Sequence, residues 1–183
     1  ARGFHPLAYR LMCLQAHYRS ELEFSWDNLA AAFTRLKRMV MGVTNVRASA
    51  SMAEGVEHPK LVELLAQFEA SVSEDLNTAV ALTCLDEAIA IKKVDSGQKL
   101  AAIARMDNVL GFGLMTLERA NLRVRPNDTT ITETDIEAAL ARRKEARANK
   151  DFAASDAIRD ELIAQGVEVM DGDPLGWDWR LTI

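Results

Sequence analysis

Apolar residues recurring at every third or fourth position, in segment after segment, constrain this chain more than any other feature. That spacing lines up side chains on one face of a helix and on no face of a strand. Leu7, Leu11 and Leu14 predict a first helix over 5–19, with Pro6 in the first turn, where its missing N–H is not needed. Ser25 caps a second helix through Trp26, Leu29, Phe33, Leu36, Met39 and Val40, ending between Gly42 and Arg47. Pro59 opens a third through Leu61, Leu64, Leu65 and Phe68. A fourth covers 76–94 around Leu82, Leu85 and Ile89, with Ser73-Glu74-Asp75 as acidic capping. A fifth runs from about Gln98 to Ala120. These stripes are wide and irregular, which suits an antiparallel bundle rather than a coiled coil. The small, polar stretch 48–57 reads as a flexible loop between the second and third helices.

The helical period stops at 122–133, where Pro126, Asn127 and Asp128 predict a linker. Beyond it, Thr134 with Glu137 has the spacing of a capping box, opening a helix to about Lys150. Another follows from Phe152 to Gln165 and stops at Gly166, a left-handed C-terminal residue. Val167-Glu168-Val169 and Trp177-Asp178-Trp179 alternate with period two around an Asp-Gly-Asp-Pro-Leu-Gly turn. The expected architecture is mainly α: a helical bundle over 1–121, a linker over 122–133, and a small α/β unit over 134–183 with two helices and a short β-hairpin.

Several function classes lack their residues. There is no Gly-rich phosphate loop, nucleophile elbow or HExxH pair. Cys13 and Cys84 lie far apart inside apolar helical patterns, and His5, His17 and His58 are scattered, so neither a disulfide framework nor a zinc site is expected. His17 reads as a structural residue at a helix end. No apolar run approaches the roughly 20 residues that span a bilayer. A net charge of −5 excludes indiscriminate phosphate binding, so any nucleic-acid site must be a local basic surface.

Such a surface is legible on the helix after the linker. Ile136, Ala139 and Leu140 form its buried stripe, and the same stripe continues as Arg143, Arg147 and Lys150, followed by Phe152. Three cations and an aromatic ring could hold a nucleic-acid backbone and stack a base. They could equally lay their stems on the hairpin with their heads in water. Asp156, Asp160, Asp171 and Asp173 could accept hydrogen bonds from base amino groups, or simply cap and turn the chain.

Four segments together resemble cysteinyl-tRNA synthetases downstream of their nucleotide-binding core. GFHPLAYRLMCLQAHYRSELEFSWDNLAAA resembles the run from the DALR helix through His-Tyr-Arg-Ser to Phe-Ser-Trp, and SEDLNTAVAL resembles an acidic-acidic-Leu-Asn-Thr-Pro segment. ANKDFAASDAIRDELIAQ and GWDWR are similar to the family's C-terminal helix and closing Trp-Arg. The resemblance implies an anticodon-binding helical bundle of the class I synthetase type, docking on tRNA, followed by a small unit that reads the anticodon.

By position, the resemblance carries anticodon contact onto Arg147, Phe152, Asp156 and Asp171, with weaker backbone contacts on Arg143 and Lys150. It implies a cysteine-accepting tRNA and a catalytic domain as partners in the cytoplasm, with neither membrane nor DNA. It places the catalytic half, with its ATP and zinc, before Ala1, and expects no catalytic residue, cofactor or metal in this chain. Phe152 stands where some relatives have Trp, and the turn at 171–176 is one residue longer than the common form. The alternatives are a free-standing helical interaction module and a fragment of a mycothiol-type cysteine ligase.

Overall fold

The structure is a computed structural model, and it describes residues 2–50 and 55–181. The loop expected over 48–57 falls partly on 51–54, outside the described residues. Contacts divide the chain into two units: His5–Leu122, and Arg123–Ile183 together with Ala1–Phe4.

The first unit is a bundle of α1 (Pro6–Leu14), α2 (Trp26–Ala48), α3 (Pro59–Ser73), α4 (Thr78–Ala90) and α5 (Ser96–Leu110), closed by a 3₁₀ turn at Arg119–Leu122. Its starts follow local chemistry. The Ser25 hydroxyl accepts from Asn28 N–H, Asn77 from Val80 N–H and Asp95 from Gln98 N–H, each satisfying a donor that has no partner inside its helix. α2 packs against α1, α4 and α5, and α3 against α4 and α5. Leu11, Leu36, Leu61, Leu82, Leu85 and Ile103 are fully buried between them.

Several expected boundaries move, including the end of α4 at Ala90 rather than 94, and three of the moves have a tertiary reason. α1 ends at Leu14, not Arg19, because His17, Tyr18 and Arg19 leave the helix to meet Asp75. α4 begins at Thr78, not Leu76. Asp75 and Leu76 both adopt left-handed backbone (φ 64° and 52°), so Asn77 becomes the cap and the acidic trio caps nothing. α5 ends at Leu110 rather than Ala120. Gly111 takes the left-handed conformation, and the buried Asp107 carboxylate accepts from Phe112 N–H (2.8 Å) and Leu114 N–H (2.6 Å), turning the chain away from the helix axis.

The second unit contains α6 (Glu133–Ala148), α7 (Phe152–Ala164) and the antiparallel strands β1 (Val167–Val169) and β2 (Trp177–Trp179). The register pairs Val167 with Trp179 and Val169 with Trp177. The capping box lies two residues before the expected one, on Thr132 and Asp135, because this pair offers the same reciprocal bonds and starts the helix half a turn earlier. Gly166 has φ 80° after α7, as its sequence context predicts. Ile131, Ile136, Ala139, Leu162, Val167, Trp177 and Trp179 form one core, with the two indoles edge to face at 5.1 Å. Arg123 lies 4.0 Å from the Trp177 ring centroid and donates to the Leu175 and Trp177 carbonyls, bracing the start of β2.

Candidate nucleic-acid interface

The site is built at the corner between α6 and α7. The Lys150 N–H donates to the Arg147 carbonyl (3.0 Å) and the Asp151 N–H to the Ala146 carbonyl (2.9 Å), the bond pattern of a Schellman ending. The left-handed position in that motif is usually glycine; here it is Lys150, with φ 61°. Asp151 then caps α7 by accepting from Ala154 N–H at 3.0 Å. Phe152 is therefore the first residue of α7, and its ring is 63% exposed. The ring is left in water at the start of a helix, with its faces accessible for stacking.

Arg143 sits one turn after Ala139 on the buried stripe of α6 and is 6% exposed. Its Nη1 and Nη2 donate to the two carboxylate oxygens of Asp171 at 2.6 and 2.8 Å, a fork-to-fork pair. Arg147, one turn further and half exposed, has Nη2 3.5 Å from Asp171 Oδ2. That distance is an ion pair rather than a good hydrogen bond. The Arg143 hydrogen bonds hold the Asp171 carboxyl below its ordinary range, with the charges of Arg147 and Arg159 acting in the same direction. The Arg143 guanidinium is correspondingly held above its ordinary value, first by Asp171 and to a lesser degree by the charge of Asp156.

The structure thus brings Arg143, Arg147 and Asp171 into direct contact and puts Asp156 within electrostatic reach of them. Phe152 and Lys150 are exposed at the same interhelical corner. Asp160 is exposed on α7, and Asp173 accepts from Leu175 N–H (2.8 Å) inside the hairpin turn. Sequence reasoning missed Arg159, which acts on Asp171 from α7, and it missed that Arg143 is buried. The signal for the second was present: an Arg in register with Ile136 and Ala139 requires a carboxylate partner, and the hairpin turn supplies acids.

Residues 132–180 match the family described as the cysteinyl-tRNA ligase anticodon binding domain. Over 99% of its length the chain is 59% identical to a cysteine–tRNA ligase of Novosphingobium aromaticivorans, and over 97% it is 43% identical to one of Zymomonas mobilis. Over nearly its whole length the chain is similar in sequence to cysteinyl-tRNA ligases. It spans 37% and 40% of those two relatives' lengths, so it corresponds to part of such a ligase. A cysteine–tRNA ligase 1 of Burkholderia lata is 38% identical over 93% of the chain. The region matched by the ligase anticodon-binding family starts at the helix cap Thr132 and ends at Arg180, whose N–H closes onto the Gly166 carbonyl at 2.8 Å. It therefore contains α6, α7, the hairpin and every candidate contact residue.

Among the described residues, no group of three or more His, Cys, Asp or Glu side chains could hold a metal ion, and no helix is long and apolar enough to cross a membrane. Both cysteines are free thiols, Cys84 buried in α4 and Cys13 half-buried in α1. The donor set that a ligase zinc would need is not assembled among these residues.

Proposed function

We propose that this chain is the tRNA-holding part of a cysteine–tRNA ligase, and that the corner between α6 and α7 binds the anticodon loop of a cysteine-accepting tRNA. Phe152 carries the reading. An exposed ring opens α7 two residues after the interhelical Lys150, and the Arg147–Asp171 pair belongs to the same small unit, which together offer a stacking surface, a phosphate ligand and a hydrogen-bonding couple. Phe152 stacks on a base, Lys150 meets the sugar-phosphate backbone, and Arg147, Asp156 and Asp171 address base edges. ATP and zinc belong to the catalytic part of the ligase, which attaches cysteine while this part holds the tRNA. The anticodon-domain match over 132–180 favours this reading over a mycothiol-type ligase, which has no tRNA to read.

The test is binding of an RNA stem-loop bearing a cysteine anticodon. Phe152→Ala should lose about 1–3 kcal/mol of affinity, the contribution of one stacked base, with unchanged thermal stability because the ring is exposed. Equal affinity of wild type and variant would remove Phe152 from the interface.

A further inference from the structure

We propose that Arg143 is a positioning residue of this site, clamping the Asp171 carboxylate so that Asp171 and Arg147 meet a base edge as a fixed acceptor and donor, without itself touching the nucleic acid. The inference rests on the anticodon-loop reading above and assigns Arg143 a role different from that of Lys150.

Three observations carry it. The Arg143 side chain is 7% exposed, both of its terminal nitrogens are committed to Asp171, and its Nε is buried. A phosphate could reach it only by displacing the bidentate carboxylate of Asp171 from a buried guanidinium. Second, Asp171 remains 43% exposed, so its carboxylate has acceptor capacity beyond the two Arg143 bonds. Third, Arg147 lies one helical turn from Arg143 on α6, is 49% exposed, and holds Asp171 only at 3.5 Å. Its donors can turn to a ligand with little loss. One arginine is spent on geometry and the other is available for contact.

The resulting couple selects its ligand by chemistry. A phosphate offers acceptors only and would be repelled by Asp171. The pairing edges of cytosine and adenine each place an amino donor beside a ring-nitrogen acceptor, and that of guanine places its N1–H donor beside the O6 acceptor; each complements a carboxylate beside a guanidinium. Because Arg143 fixes the carboxylate, its removal loosens Asp171 and blurs base selection. The charge that RNA meets stays nearly the same when Lys replaces Arg143 or when both partners are removed, since the Arg143–Asp171 pair is neutral as a unit.

The experiment compares two RNA stem-loops, one with a cysteine anticodon and one with its middle base replaced, at several salt concentrations. The variants are Arg143→Lys, Arg143→Met, the double variant Arg143→Met/Asp171→Leu, and Arg147→Ala, each checked for folding by circular dichroism and melting. Arg143→Lys keeps the charge but loses the fork, and should lower cognate-to-substituted discrimination about tenfold with an unchanged salt slope. The double variant should melt near wild type, because removing both partners leaves no charge unpaired, and should still fail to discriminate. Arg147→Ala should lower discrimination and also flatten the slope by about one. A slope reduced by about one in the double variant, which removes the cation at constant net charge, would make Arg143 a phosphate contact and overturn the inference while leaving the site intact. Full discrimination in folded Arg143 variants would overturn it as well. Failure of the wild type to bind the cognate loop, or indifference of Phe152→Ala and Arg147→Ala alike, would remove the site reading itself and this inference with it.

Discussion

The Tyr18 hydroxyl donates to Asp75 Oδ1 at 2.6 Å, and Arg19 Nη2 donates to the same oxygen at 2.6 Å, so one carboxylate joins the turn after α1 to the turn between α3 and α4. Arg19 Nε also donates to the Tyr18 oxygen at 2.9 Å, and His17 Nε2 lies 3.1 Å from the Asp75 carbonyl. This network holds Asp75 and Leu76 in left-handed backbone, which disfavours a non-glycine residue by about 1–2 kcal/mol. Leu76 is 55% exposed, so Leu76→Gly should be neutral or stabilising by up to about 1 kcal/mol, whereas Leu82→Gly in the core should cost more than about 3 kcal/mol. Asp75→Ala removes the shared acceptor and should destabilise. Urea midpoints check all three; a destabilising Leu76→Gly would show that the turn is not strained.

Gly42 lies inside α2 where alanine would ordinarily gain about 0.5–1 kcal/mol. A Cβ there would stand 2.5 Å from the Ile89 Cγ2 methyl of α4. Overpacking of that kind costs about 1–3 kcal/mol and should win, making Gly42→Ala destabilising. In an Ile89→Ala background the same change should become neutral or favourable. A double-mutant cycle in melting experiments reads the coupling; additive effects would mean that the helices do not meet there.

Lys99 is 8% exposed, and its ammonium donates to the Ile89 and Ile91 carbonyls at 3.0 and 2.9 Å, closing the end of α4 from α5. Burial lowers its pKa from the ordinary value. Lys99→Met keeps the stem and strands the carbonyls, which should cost about 1–3 kcal/mol. The exposed Lys92→Met should change stability by less than about 0.5 kcal/mol. Equal effects in chemical denaturation would reduce Lys99 to a spectator.

Two carboxylates of the second unit make it acid-sensitive. Hydrogen bonds from Arg143 lower the Asp171 pKa below its ordinary 3.8, and the hydroxyl and N–H of Thr132 lower that of Asp135. A depressed folded pKa gives stability that is present above the unfolded value and lost as pH falls through the folded one. Asp171→Asn should therefore destabilise at pH 7 and converge with wild type below pH 3.8 as the wild-type carboxylate protonates. Thr132→Ala should lose about 1 kcal/mol of capping at neutral pH and less in acid. Parallel stability–pH curves for Asp171→Asn and wild type would contradict the ion-pair assignment.

Lys150 combines strain with exposure, so stability and binding should part there. Lys150→Gly relieves the left-handed backbone and should stabilise by about 0.5–1 kcal/mol. It also removes the phosphate ligand proposed above, and should flatten the salt dependence of RNA binding by about one. The two effects are read from melting curves and from affinity against salt. A variant that is less stable, or that binds with the wild-type slope, would leave Lys150 without the role given to it.

Local patterns carried much of this protein by themselves. Spacings of three and four placed α2 on Leu29, Phe33 and Leu36, Ser25 predicted its cap, Gly166 predicted the end of α7, and the two alternating triplets predicted the hairpin. Each depends on neighbours within a few residues, where backbone hydrogen bonding and side-chain periodicity decide the outcome. The basic stripe and Phe152 were legible for the same reason. Tertiary structure alone decided what the stripe does. The three cations look alike on a helical wheel, yet Asp171, brought in from the hairpin turn across 28 residues, neutralises Arg143 in the interior while Arg147 and Lys150 remain exposed. The same holds at Asp75, whose left-handed turn and four polar contacts come from residues more than 50 positions away. A charged side chain's role depends on which opposite charge reaches it and how much water is left, and neither quantity is local in sequence.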